Sequence, residues 1–166
     1  NPNDLPEVER AARFIYLNKT CFNGLYRVNS KGGFNVPMGS YKNPDIVQEE
    51  RLRLVADLLK NVNIQVMSFE KIVDIVKKND FIYFDPPYFP LNKSSFTKYA
   101  KGNFLEEEQK LLAEVFKKLD KKGCLVMQSN SATKFIEKIY NKFKIHIVKA
   151  RRLINCDGSN RGKINE

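Results

Sequence analysis

The chain has 166 residues, 42% of them hydrophobic, which is enough for one core in a single domain or a domain and a fraction. Its 29 Lys and Arg against 19 Asp and Glu give a formal charge of +10, which favours a polyanionic partner, nucleic acid ahead of an acidic membrane surface. The pattern of a secretory leader and an apolar run of the ~20 residues a membrane span needs are both missing, and Cys21, Cys124 and Cys156 lie far apart with no Cys-x-x-Cys or His neighbour. These features argue against a membrane protein, a disulfide framework and a metal site, and lead us to expect a reduced, cytoplasmic protein.

Asn1 in place of Met, a loop-like Asn-Pro-Asn-Asp-Leu-Pro opening and a stop at Ile-Asn-Glu lead us to expect a piece of a longer protein. The spacing of Ala11, Ala12, Phe14 and Ile15 predicts a helix over Glu7 to Leu17, after a proline suited to a first turn. From Cys21 to Tyr41 the chain is dense in Asn, Gly, Pro, Tyr and Phe. Ser30-Lys31-Gly32-Gly33 predicts a turn and Phe34 to Pro37 a short extended piece, so an irregular, hairpin-bearing surface module is expected. Asp45 to Lys60 reads as a helix, with Ile46, Leu52, Val55, Leu58 and Leu59 as its apolar positions.

Strand and helix then alternate. Strands are expected at Ile64 to Met67, Phe81 to Phe84, Gly123 to Gln128 and Lys144 to Lys149. Helices are expected from Ser68-Phe69 to about Val76, over Glu106 to Leu119 and over Ala132 to Asn141. Short apolar runs separated by amphipathic helices imply an α/β fold with a mostly parallel sheet covered on both faces. His146, inside the last expected strand, reads as structural. In such sheets ligands gather at the carboxyl ends of the strands, and Asp85-Pro86-Pro87-Tyr88 follows one of them.

The two prolines force the chain out of the strand extended and stiff, and a proline offers a carbonyl without an N–H. The tetrapeptide therefore presents a carboxylate, a fixed carbonyl and an aromatic face, a set of acceptors suited to an amino group on a flat ring. A plain loop is the competing reading of Asp-Pro-Pro alone. Against it stands the polar stretch Asn92 to Gly102, long for a strand-to-helix connection and therefore expected to be functional.

Asp85-Pro86-Pro87-Tyr88, together with "YLNKTCFNGLYRVN" (Tyr16 to Asn29), "GGFNVPMGSYKNP" (Gly32 to Pro44), "FTKYA" and "QSNS", resembles the adenine-specific DNA methyltransferases of the Dam and DpnII-modification type, the D12 class. The segments match in order across nearly the whole chain. The resemblance implies a Rossmann-like S-adenosylmethionine-dependent methyltransferase sheet, in part, with a small helical and hairpin recognition domain. It implies recognition by residues 1–47 and catalysis by residues 48–166. The Asp85 carboxylate and the Pro86 carbonyl would accept hydrogen bonds from both N–H groups of an adenine amine. Pro87 would stiffen that turn, and Tyr88 would stack on a base flipped out of the duplex. Asp85, Ser68 and Phe69 would contact S-adenosylmethionine, although a helix cap followed by a core aromatic is an equal reading of Ser68-Phe69.

In the hairpin the resemblance makes Arg27 the guanine reader, with two hydrogen bonds to O6 and N7. Asn23 and Asn35 would contact bases or phosphates, Leu25 and Pro37 base edges or a thymine methyl, Tyr41 a phosphate, and Phe22 the stack the flipped base vacates. Ordinary turn chemistry remains an equal reading of Asn23, Asn35 and Tyr41. Lys93, Lys98 and Arg151-Arg152 are expected to neutralise phosphates.

The implied activity is adenine-N6 methylation of double-stranded DNA, in GATC, as a restriction-modification or Dam-like enzyme. A cognate restriction endonuclease would be a partner, and the state a monomer or weak dimer. One departure bears on this. The family carries a Phe-x-Gly-x-Gly-like cofactor loop and a ribose-binding acid ahead of the segment matched by residue 1, and a final strand beyond the segment matched by residue 166. Weak binding of S-adenosylmethionine by these residues alone is therefore expected. RNA adenine methylation, protein glutamine methylation and a non-catalytic DNA-binding fragment stay open as alternatives.

Overall fold

The structure, a computed structural model, describes residues 4–91, 104–151 and 163–165, the last of these and 150–151 by their backbone. The loop Asn92 to Gly102 with Lys93 and Lys98, and also Arg152 and Cys156, lie outside the described residues. The chain divides into two compact units, Asn1–Gln65 and Val66–Glu166.

The first unit opens with α1 (Glu7–Thr20), which has Glu7 and Glu9 in its first turn and Lys19 in its last, charges matched to the helix dipole. It runs three residues beyond the expected end because the turns continue to be closed, up to a bond from the Cys21 N–H to the Leu17 carbonyl at 2.9 Å. Thr20 and Cys21 are buried. The chain then reverses through a short 3-10 turn, Phe22–Gly24, with Asn23 at φ 54 in the left-handed region. The expected hairpin follows, joined by antiparallel bridges between Val28 and Phe34 and between Cys21 and Met38. Its turn is built by Asn29, whose Oδ1 accepts from the N–H groups of Lys31 at 2.9 Å and Gly33 at 3.0 Å. Phe14 of α1 meets the Tyr26 ring at 4.7 Å, and Tyr26 meets Phe34 at 5.4 Å, both pairs tilted, so a row of aromatic contacts ties the helix to both hairpin arms. Gly39 stands at a close approach: a Cβ there would displace the Tyr41 ring, 2.3 Å away, and crowd the Cys21 carbonyl at 3.1 Å.

α2 (Glu49–Leu59) begins four residues later than expected, because Gln48 at φ 42 is left-handed and cannot continue a helix backwards. Its expected apolar positions Leu52, Val55, Leu58 and Leu59 are exposed. By compactness α2 groups with the amino-terminal unit, whereas the expected division after residue 47 precedes it.

The second unit contains a 3-10 turn Phe69–Lys71 continued by the short α3 (Ile72–Ile75), then β1 (Phe81–Phe84), α4 (Glu106–Lys121), β2 (Leu125–Gln128), α5 (Lys134–Ile139), β3 (Lys149–Arg151) and β4 (Lys163–Asn165). β1 and β2 are parallel, with Phe81 opposite Leu125 and Phe84 opposite Gln128. α4 buries Leu112, Ala113, Val115, Phe116 and Leu119, the three- and four-residue spacing of one helical stripe. On one side of that stripe Val115 and Leu119 pack with Val76, Ile82 and Cys124; on the other Ala113 and Phe116 pack with Ile136 and Tyr140.

Three sequence expectations need correction. Ile64 to Met67 lies outside any ladder, and Lys144 to Val148 likewise forms no strand, which leaves His146 exposed and outside a strand. A strand exists only when a neighbour takes its hydrogen bonds, and neither apolar run has one among the described residues. The chain instead pairs Lys149–Arg151 antiparallel with Lys163–Asn165 in a separate two-stranded ribbon. The parallel sheet is covered on one face among the described residues: Ile82 is buried, while Phe81 and Leu125 on the other face are 64% and 62% exposed.

Burial pushes the Tyr140 phenol up to about 12, and its hydroxyl donates to Gln128 Oε1 at 2.7 Å. The neutral phenol is thus favoured in the folded state, so its contribution is complete below the unfolded value near 10 and is lost as pH rises from about 10 to 12. Chemical denaturation at stepped pH is expected to show this loss in the wild type and a smaller one in Tyr140→Phe. Equal slopes would remove the assignment.

Candidate active site and recognition hairpin

Parallel pairing determines what meets what beyond the sheet. Since Phe84 stands opposite Gln128, the next residues, Asp85 and Ser129, leave adjacent strands at the same carboxyl end. The Ser129 N–H donates to the Phe84 carbonyl at 3.1 Å, and its hydroxyl donates to Asp85 Oδ1 at 2.8 Å. Asp85 is exposed, and its Oδ2 has no hydrogen-bond donor among the described residues. Pro86 and Tyr88 are half-buried and Pro87 is exposed.

Behind this loop lies a polar network that sequence reasoning did not assign. Gln109, fully buried in the first turn of α4, donates from Nε2 to the Pro87 carbonyl at 2.9 Å. Its Oε1 accepts from Asn130 Nδ2 at 3.0 Å, and Asn130 Oδ1 accepts from the N–H groups of Phe89 at 3.0 Å and Ser131 at 2.9 Å. The buried Ser131 hydroxyl donates to the Phe89 carbonyl. No buried side-chain polar atom lacks a partner among the described residues. One signal for this was available in the sequence: Gln109 stands three and four residues before Leu112 and Ala113, a polar residue on an otherwise apolar stripe.

The Pro87 carbonyl is thus taken from the protein side, whereas the Pro86 carbonyl has no donor among the described residues. The loop therefore leaves one carboxylate oxygen and one proline carbonyl without a donor among the described residues, consecutive in the chain and held by a stiff backbone. Two acceptors of this kind match an amino group with two hydrogens and are unsuited to an anion.

Ser68 and Phe69 enter the 3-10 turn of the same unit. Ser68 is exposed and its hydroxyl donates to Glu70 Oε2 at 3.0 Å; it makes no side-chain cap. Phe69 is half-buried, packs against the Val76–Leu119 cluster and meets Phe104 edge-on at 5.9 Å.

In the amino-terminal unit Phe22, Asn23, Arg27, Asn35, Pro37 and Tyr41 are exposed and Leu25 is half-buried. The Phe22 N–H donates to the Pro37 carbonyl at 2.9 Å, which sets these two side by side. Arg27 is exposed yet held: Nε donates to Asn35 Oδ1 at 2.9 Å and Nη2 to the Asn35 carbonyl at 3.1 Å. Nη1 and one Nη2 hydrogen remain for another acceptor.

A family model described as D12 class N6 adenine-specific DNA methyltransferase matches residues 1–154. The chain is 54% identical to the type II methyltransferase M.MjaIII of Methanocaldococcus jannaschii over 97% of its own length and 56% of the relative's. It is 49% identical to M1.LlaDCHI of Lactococcus lactis subsp. cremoris, over 98% and 58% of the two lengths. With a DNA adenine methylase of Escherichia coli K12 it shares 37% identity over 95% of itself and 56% of that protein. The chain thus spans a little over half the length of the curated relatives it matches.

Proposed function

The chain belongs to the D12 class N6 adenine-specific DNA methyltransferase family, and from that premise we propose that it supplies the methyl-acceptor site and the DNA-recognition hairpin of an enzyme acting on adenine in duplex DNA. The observation that carries this reading is that Asp85 Oδ2 and the Pro86 carbonyl, consecutive in the chain at the carboxyl end of the sheet, have no donor among the described residues. The adenine amine is a weak nucleophile because its lone pair is delocalised into the ring. Accepting hydrogen bonds from both of its N–H groups localises that lone pair, with no covalent enzyme intermediate. The acceptors are preorganised, so no reorganisation accompanies the reaction.

S-adenosylmethionine, when bound, supplies an already activated methyl group on a sulfonium. The residues present fit it in part: an exposed carboxylate at Asp85 suits its cationic groups, and Ser68 with the half-buried ring of Phe69 suits its adenosine. Reaching the amine requires the base to leave the duplex, at a cost of a few kcal/mol. Tyr88, following the two prolines, offsets part of this by stacking on the everted ring, and Phe22 fills the vacated stack.

Recognition falls to residues 1–47 and catalysis to residues 48–166. Arg27, prealigned by Asn35, reads guanine of GATC with its remaining donors, Leu25 and Pro37 touch base edges, and Asn23, Asn35 and Tyr41 contact the bases or backbone. The charge of +10 adds sequence-independent attraction to phosphates. The type II names of two relatives support a restriction-modification setting, with an endonuclease sharing the site as partner. No helix among the described residues is long and apolar enough to cross a membrane, which accords with a cytoplasmic enzyme.

A library of duplexes treated with the full-length protein and sequenced for modified adenine tests the reading. Methylated adenine confined to GATC is expected. Arg27→Ala is expected to relax the preference at the guanine by about 1–3 kcal/mol while methylating other sites. Unchanged specificity in that variant would remove Arg27 from base reading.

A further inference from the structure

We propose that Gln109 is a positioning residue for the acceptor loop, acting through the Pro87 carbonyl, and that Asn130 dictates the direction of its amide. This deepens the reading of Asp85 and Pro86 as amine acceptors and rests on it.

The hydrogen-bond chain has only one consistent polarity. The Phe89 and Ser131 backbone N–H groups can only donate, so the Asn130 atom between them, at 3.0 and 2.9 Å, must be the oxygen. Asn130 then presents its NH2 to Gln109, at 3.0 Å, which obliges the Gln109 atom there to be its oxygen. Gln109 in turn presents NH2 to the Pro87 carbonyl at 2.9 Å, a group that can only accept. The usual ambiguity between the two ends of a side-chain amide is absent, because every link is forced by the one before it.

The sequence explains why such a device is needed. Pro86 and Pro87 carry no N–H, so this stretch of the loop has only carbonyls by which it can be anchored. Gln109 anchors one of them from a fully buried place in the first turn of α4. With the Pro87 carbonyl held, one of the two torsions that relate it to the preceding carbonyl, that of Pro86, is already fixed by the Pro87 ring. The Ser129 hydroxyl performs the matching task for Asp85, engaging Oδ1 at 2.8 Å and leaving Oδ2 without a donor among the described residues. Both proposed acceptors are thereby oriented from the loop that follows β2 and from α4, elements that need not touch substrate. A site of this type loses rate steeply when its geometry loosens, with misplacements near 1 Å costing on the order of 10²-fold.

The decisive variant is Asn130→Asp in the full-length protein. It is isosteric and still accepts from the Phe89 and Ser131 N–H groups, but it offers Gln109 an acceptor instead of a donor. The Gln109 amide must then turn, and its oxygen faces the Pro87 carbonyl. We expect kcat for methyl transfer to duplex DNA, normalised to the folded fraction, to fall about 10- to 100-fold with KM for DNA within about 2-fold of wild type. Gln109→Met, which keeps the bulk and removes both polar ends, is expected to show the same split, and the double variant to fall no further than either single one, since both break one chain. A Gln109→Met protein that does not fold leaves the decision to Asn130→Asp. Wild-type kcat in folded Asn130→Asp, or additive losses in the double variant, overturns the proposal. Asp85→Ala run alongside separates the two readings: if it keeps its turnover the acceptor site itself is wrong, and if it is inactive while Asn130→Asp is not, only the positioning role is wrong.

Discussion

Asp85→Ala is expected to reduce methyl transfer by the full-length protein to background, while affinity for duplex DNA stays within a few-fold of wild type. The side chain is exposed, and its hydrogen-bond partner among the described residues is the Ser129 hydroxyl, so its removal costs the fold little, within about 0.5 kcal/mol for a surface position. What it removes is half of the proposed acceptor pair. A single preorganised hydrogen-bonding group aimed at the reacting atoms is worth about 10²–10³ in rate in other enzymes, and a carboxylate acting on a poor nucleophile belongs at the upper end or beyond. Asp85→Asn sharpens the comparison, since it keeps shape and one acceptor oxygen but adds a donor that opposes the amine. It is expected to be nearly as inactive. Labelled-methyl incorporation measures the first property and fluorescence anisotropy on a labelled duplex the second. Turnover near wild type in Asp85→Ala would end the proposed mechanism, whereas loss of DNA binding in parallel would show that Asp85 serves affinity instead.

Leu119→Ala is expected to cost about 2–5 kcal/mol of unfolding free energy. Leu119 is 0% exposed and packs with Val76, Ile82, Val115 and Cys124, where α4 meets β1 and the chain entering β2. Truncation leaves a cavity among atoms contributed by α4, β1, the chain after α3 and the chain entering β2, which cannot all move inward to fill it. A domain of this size is stable by about 5–15 kcal/mol, so the loss is a large share of the total. Leu111→Ala on the neighbouring, 41% exposed helical position is the matched control, with a change below about 1 kcal/mol. Urea denaturation followed by far-UV circular dichroism measures both. Equal effects at the two positions would mean that α4 is not packed as described.

The elements that sequence pattern predicted well are those whose signal is local. Phe81–Phe84 is a short apolar run bounded by Asn79-Asp80 and by Asp85-Pro86-Pro87, and it forms β1 with those limits. The α4 stripe is visible in the three- and four-residue spacing of Leu112, Val115, Phe116 and Leu119. The hairpin turn needs only Asn29 and the glycines after it. Ile64 to Met67 and Lys144 to Val148 carry an equally good strand signal and are not strands, because apolarity does not supply the neighbour that a ladder needs.

The candidate site divides along the same line. Asp85-Pro86-Pro87-Tyr88 could be picked out because its constraint is intrinsic: prolines stiffen whatever they follow, and a carboxylate after a strand faces the sheet's carboxyl end. Gln109 and Asn130 lie 22 and 41 residues along the chain from the groups they hold, Pro87 and Phe89, and nothing in their own neighbourhoods names those partners.

By itself, then, the sequence determined the local chemistry: a cationic chain, a stiff acceptor loop behind an apolar strand, a hairpin with an arginine, and the family to which these belong. Only the tertiary structure decided which of those groups are occupied and which remain open. Parallel pairing of β1 with β2 brings Ser129 to one carboxylate oxygen of Asp85, and packing of α4 brings Gln109 to the second of two proline carbonyls. The reason is physical: whether an acceptor remains open depends on donors that arrive through long-range pairing and packing, and those contacts are absent from any stretch of chain short enough to be read alone.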